Sequence, residues 1–390
     1  MAQPSERGAG PLTVGVIGLG GMGVQHCRTI ARQIPEMKLV AVCDADGTQA
    51  RTFGQEMGVA AFTSHKQLID SGLCRATIVA TPHPFHAPIA VDCFAAGLHV
   101  LSEKPLAETI SAGDRMAQAA RDAKRVLGVM FQMRFMPSCH KAIEIVRRGE
   151  LGRLIRASLT APNYRSQAYY DAGKWRATWV GEGGGVLLNQ SPHIVDLFLA
   201  LTGLPVWVQG ITGAMMHDIE VEDCAQALLR FRDGGFGYLY CSTLEPGPGE
   251  AIEVFAENGK LVYRDGQVKY YRFARPVSDF TKNNTEMWGR LDCKEVPLDV
   301  REAPTGHADV MRNFARHILH GEDLLCDGES GLAQLELANA IIYSGRTGRA
   351  VDLPLDRAAY DALLGELRRT SRYNQKSDQI KRITDPSFVK

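Results

Sequence analysis

Short apolar runs alternate with stretches of helical period through the first third of the chain. Residues 12–17 predict a buried strand. A helix pattern then runs through His26, Ile30 and Ile34 until Pro35 stops it. Residues 38–43 predict a second strand, ending at Asp44. Further strands are predicted over 76–80, 97–102 and 126–130, with helices over 87–96 and 111–123 between them. Strands separated by helices at this spacing predict a parallel, doubly wound sheet.

Beyond about residue 153 the period changes to two. Residues 153–161, 206–216, 224–231, 236–243, 252–256, 260–263 and 267–273 read as strands. Asp233-Gly234-Gly235, Asn258-Gly259 and Asp265-Gly266 supply turns between them. Such alternation predicts an antiparallel sheet with one face on a helix layer. The open face would suit a subunit interface, so a homo-oligomer, dimer or tetramer, is expected. A helix pattern also follows residue 193, and helices return over 307–320 and 331–344. The expected organisation is a disordered lead (1–11), a first domain (12–131), a second (132–367) and a polar C-terminal tail (368–390).

Composition fits this picture. The chain has 390 residues, 45% hydrophobic and 23% charged, enough for two cores. Lys+Arg and Asp+Glu are both 44, so nothing points to nucleic acid or an anionic membrane. The nine cysteines form no C-x-x-C and predict reduced thiols in a cytoplasmic protein. The N-terminus has no apolar signal region, and no apolar run is long enough for a membrane helix.

Three loops on one edge of the first sheet carry chemistry. Gly18-Leu19-Gly20-Gly21-Met22-Gly23 joins the first strand to its helix, and Asp44 ends the next strand. In a dinucleotide fingerprint Gly18 makes the tight turn, Gly20 admits the pyrophosphate and Gly23 allows close helix packing. The helix N-terminus, at Gly21 and Met22, offers N–H groups to phosphates. Asp44 suits ribose hydroxyls and repels a 2′-phosphate, favouring NAD over NADP. The second loop holds Thr81, His83 and His86, and the third is Glu103-Lys104-Pro105. A charge directly after a buried strand has no packing reason, which marks Lys104. No His-x-Glu or cysteine cluster completes a metal site with His83 and His86.

In the second domain, residues 163–181 show no period and read as a long binding loop. Tyr164, Trp175 and Arg176 there suit a sugar ring, and Arg134 is a further candidate substrate contact. Residues 181–193 run through Gly183-Gly184-Gly185 to Asn189 and His193. Asn189 is a plausible N-cap, four residues from His193.

These pieces resemble the Gfo/Idh/MocA family of oxidoreductases: Gly18 to Gly23, Thr81-Pro82-x-x-x-His86, Glu103-Lys104-Pro105, and the triple glycine before His193. The resemblance implies an N-terminal Rossmann dinucleotide-binding domain and a C-terminal α+β domain with a large open, mainly antiparallel sheet. It implies NAD(P)-dependent hydride transfer to or from a sugar, glycoside or cyclitol. Lys104 and His193 match catalytic positions, Glu103 an acid near the nicotinamide ribose, and Thr81, His83 and His86 the cofactor cleft. Lys104-Pro105 is often cis in such proteins. Where many relatives carry Asp, this chain has Asn189, so the acid of the proton relay is either missing or supplied elsewhere, for instance by Asp196. Some relatives oxidise a glycoside transiently at C3 with retained cofactor, and a few only sense NAD(P).

Overall fold

The computed structural model describes residues 10–301, 303 and 305–373. Most of the expected lead and tail lies outside the described residues. The first domain runs β1 (Leu12–Ile17), α1 (Gly21–Gln33), β2 (Met37–Cys43), α2 (Gly47–Met57), β3 (Ala60–Phe62), α3 (His65–Asp70) and β4 (Ala76–Val79). It continues with α4 (His86–Ala95), β5 (His99–Ser102), α5 (Ile110–Ala123) and β6 (Leu127–Val129). The strands pair in parallel in the order β3-β2-β1-β4-β5-β6. Val14, Val16, Ile78, Val100 and Leu101 are fully buried, as in a sheet covered on both faces. β3 and α3 had no clear period, because three residues of strand are too few to show one.

The second domain holds α6 (Pro137–Arg147), β7 (Leu154–Pro162), α7 (Gln167–Asp171), α8 (Pro192–Thr202), β8 (Trp207–Gly213), β9 (Cys224–Arg230) and β10 (Phe236–Ser242). It then holds β11 (Ala251–Ala256), β12 (Gly259–Arg264), β13 (Gln267–Phe273), α9 (Val277–Asn283) and β14 (Cys293–Val296). The last elements are α10 (His307–His320), α11 (Gly328–Thr347), β15 (Val351–Asp352) and α12 (Arg357–Thr370). Nine strands form one sheet in the order β14-β13-β12-β11-β7-β10-β9-β8-β15. Only β7 and β10 pair in parallel within it. Ala225, Ala227 and Leu229 of β9 are buried, while Leu228 between them is 58% exposed.

Three departures from expectation have local causes. The strand expected to reach residue 216 stops at Gly213. There the buried Asp223 carboxylate accepts the N–H groups of Met215, Met216 and His217 at 2.8–3.1 Å and curls the chain away. The loop 163–181 contains the short α7. The expected tail begins inside α12, where Arg368 pairs with Glu108.

The last helices return to the first domain. α10 packs on α1, and Arg316 Nε donates to Glu36 at 2.8 Å. α11 touches α5 and β6 on one side and β8 on the other. It is buried nearly all round, as a helix between two sheets must be. One buried helix therefore sets the two sheets, and the cleft between them, at a fixed spacing. No helix among the described residues is long and apolar enough to cross a membrane. None of the nine cysteines forms a disulfide among the described residues.

Candidate active site

The cofactor edge is built from backbone. Gly18 has φ +95°, and a Cβ there would sit 2.7 Å from the Ala80 carbonyl oxygen. A Cβ on Gly23 would overlap the Gly18 carbonyl. Only glycine fits either place. Gly20 is the N-cap of α1 and supplies no side-chain cap, and the first turn, Gly21, Met22 and Gly23, carries no acid. Its N–H groups thus face outward with the positive end of the helix dipole, a cradle for a pyrophosphate. Asp44 Oδ2 accepts from Leu19 N at 2.7 Å and Oδ1 from Asp46 N at 2.8 Å. Its charge is thereby fixed at the end of β2, where a ribose would lie. The described residues fit a dinucleotide.

Lys104 follows β5, and its peptide bond to Pro105 is cis. Nζ donates to the Asn189 carbonyl at 2.7 Å. Burial brings its pKa down to about 8, with Arg176 and Arg165 helping and Glu103 and Glu182 opposing. His193, at the start of α8, is held well below the ordinary histidine range by burial and by Lys104. Its Nδ1 is buried with no hydrogen-bond partner, and its ring meets Phe131 edge-on at 6.2 Å.

The histidine loop braces this centre. His86 lies between the Thr81 and Pro105 carbonyls at 2.8 and 2.9 Å, tying the second cofactor loop to the third. His83 Nδ1 lies 2.9 Å from the Glu182 carbonyl, tying that loop to the second domain. Among the described residues no His, Cys, Asp and Glu group forms a metal cluster.

Several expected site residues are engaged within the chain. The Glu103 carboxylate is held in place: His26 Nε2 lies 2.6 Å from it, and Lys104 N donates to it at 3.1 Å. Arg134 is buried. It forms a buried two-pronged pair with Asp196 at 2.6 and 2.7 Å and donates to the Leu325 carbonyl at 2.9 Å. Asp196 is consumed by that pair, so it is not the missing acid. Asn189 is not the helix cap, a place taken by Ser191. Its side-chain amide instead donates to the carboxylate of Glu182.

Glu182 is the residue that sequence reasoning missed. It is 1% exposed. One carboxylate oxygen accepts from Asn189, and the other accepts from Ala177 N at 2.7 Å. Burial raises its pKa, against the pull of Arg176, Asn189 and Lys104. The triple glycine lets this segment close up: a Cβ on Gly185 would overlap the Glu222 carbonyl. On the loop, Trp175 meets the His83 ring edge-on at 5.1 Å, and Arg176 bonds the Tyr169 hydroxyl. Tyr164 is 51% exposed.

Residues 12–131 match the Gfo/Idh/MocA model described as an oxidoreductase family with an NAD-binding Rossmann fold, and residues 139–262 match the family's C-terminal domain. Inositol 2-dehydrogenase 2 of Saccharopolyspora erythraea is 34% identical over 91% of this chain and 99% of its own. The chain belongs to the Gfo/Idh/MocA family. The family's D-glucoside 3-dehydrogenase of Escherichia coli is 25% identical over 90% of this chain and 99% of its own. The structure of WlbA dehydrogenase from Bordetella pertussis, in complex with NADH and UDP-GlcNAcA, superposes with a TM-score of 0.76 at 28% identity. That match covers 89% of this chain and all of the other. The chain is thus an oxidoreductase with an NAD-binding Rossmann domain, in a family of sugar and cyclitol dehydrogenases.

Proposed function

We propose that the chain oxidises a secondary alcohol of a sugar, glycoside or cyclitol, or reduces the matching ketone, with Lys104 and His193 moving the hydroxyl proton. The observation that carries this reading is the position of Lys104 Nζ, fixed at the cofactor edge by a 2.7 Å bond to a carbonyl of the second domain. The names of the relatives support the substrate class.

NAD, when bound, supplies the hydride acceptor. The remaining work falls to the chain. With a pKa of about 8, Lys104 has a neutral fraction near pH 7 and takes the hydroxyl proton as general base. In the reverse direction its charged form polarises the ketone oxygen. His193, kept neutral by burial, offers its ring as a second hydrogen-bonding group. Asp44 selects NAD by repelling a 2′-phosphate.

Lys104→Ala is expected to keep NADH binding, read by nucleotide fluorescence, and to lower turnover roughly 10³-fold. Near-normal turnover would overturn the assignment. A screen of sugars, glycosides and inositols for NADH absorbance identifies the substrate.

The same reading includes a homo-oligomer through the open face of the nine-stranded sheet. Ile211, Leu228, Phe236 and Tyr238 project from β8, β9 and β10 and are 46–72% exposed. An apolar face of this kind favours a partner surface. Light scattering should give a multiple of the chain mass, with Leu228→Glu shifting it toward one chain. A single-chain mass for the unaltered protein would refute the interface.

A further inference from the structure

Arg165 and Arg176 both stack on the ring of Tyr169, with guanidinium carbons 5.1 and 4.3 Å from its centroid. Arg176 also lies 4.9 Å from the Trp175 ring. The Tyr169 hydroxyl accepts from Gln190 Nε2 at 3.3 Å. Gln190 follows Asn189, whose carbonyl holds Lys104. The two guanidinium groups therefore belong to the wall that holds the proposed base in place.

Among the described residues no carboxylate lies within ion-pair distance of Arg165 or Arg176. Arg165 spends Nη1 on the Tyr164 carbonyl at 2.8 Å, while its buried Nε has no partner. The buried Oε1 of Gln190 also lacks one. Glu182, the acid whose field meets Arg176, has both carboxylate oxygens engaged by Asn189 and Ala177. Both arginines push the Lys104 pKa down, so their field reaches the proposed reacting atoms.

Arginine keeps its charge at any working pH and presents a planar fork of donors. A neutral sugar would leave both forks without an anionic hydrogen-bond partner. An oxyanion would satisfy them with charge-assisted hydrogen bonds. We propose that the substrate carries an oxyanion, held by Arg165 and Arg176 while Lys104 meets the hydroxyl to be oxidised. The group is a carboxylate, as on a uronate, or a phosphate ester. This inference rests on the dehydrogenase reading given above.

The test uses matched pairs with the intact protein and NAD: a neutral glycoside against its uronate, and a neutral sugar against its phosphate ester. The oxyanion member of one pair is expected to show at least a tenfold higher kcat/KM, and the favoured pair names the group. Arg176→Met and Arg165→Met should shrink that ratio toward one, chiefly through KM, with Arg176→Lys restoring part of it. NADH fluorescence confirms that each variant still folds and binds cofactor. Neutral members equal to or better than their partners, or a preference that survives both substitutions, overturns the inference. Turnover of neutral sugars alone that still requires Lys104 sinks this inference and spares the dehydrogenase reading. Failure of every sugar to reduce NAD defeats both.

Discussion

The two walls of the cleft are built in different ways. On the cofactor wall the decisive contacts are close in sequence: Gly23 abuts the Gly18 carbonyl, and Asp44 reaches Leu19 across 25 positions. The contacts that join it to the opposite wall are distant. Lys104 reaches Asn189 across 85 positions, and His83 reaches Glu182 across 99. The first wall is a property of one strand–turn–helix unit. The second exists only once the two domains have come together. A substitution on the first should therefore act through one backbone turn, whereas one on the second should disturb several loops together.

The larger expected effect breaks the local wall. Gly23→Val places side-chain atoms where the Gly18 carbonyl stands, so the turn must open. NADH affinity is expected to fall about a hundredfold, roughly 2.7 kcal/mol. Fluorescence titration measures it. At saturating cofactor the pH midpoint of turnover should stay where it was, because no group on the opposite wall has moved. An unchanged affinity would show that the close approach is not needed for the cradle.

The same contrast explains how much was legible in the sequence. The Rossmann strands show as continuous apolar runs because both their faces are buried, and the glycine fingerprint is contiguous. The second sheet shows through its alternation and its Asp-Gly and Asn-Gly turns. What stayed hidden depends on distant partners. Asp196 lies buried on the otherwise apolar helix α8, and a buried acid there calls for a cation, but nothing in the spacing names Arg134. Glu182 gave one signal, a charge inside a glycine-rich, apolar run. That is the same oddity that marks Lys104, masked here by the glycines beside it. Asn189 joins Lys104, through its carbonyl, to Glu182, through its side-chain amide.

The smaller effect tests that link. Glu182→Gln keeps the size of the side chain and an acceptor oxygen but removes the charge. Two consequences can be separated. The Glu182 carboxylate holds Asn189, whose carbonyl aims Lys104, so the plateau rate is expected to fall about tenfold, near 1.4 kcal/mol. The Glu182 charge also supports the protonated lysine. Without it the Lys104 pKa drops below about 8. Alcohol oxidation needs the neutral lysine, so its rate climbs as pH rises through that pKa and then levels. The climb in the variant should therefore lie at lower pH than in the unaltered protein, and ketone reduction, which needs the charged lysine, should fade at lower pH as well. NADH affinity should hold, since the cofactor wall is untouched. A lower plateau with an unmoved midpoint would mean that Glu182 positions Asn189 as a neutral acid, its burial having outweighed the pull of Lys104 and Arg176.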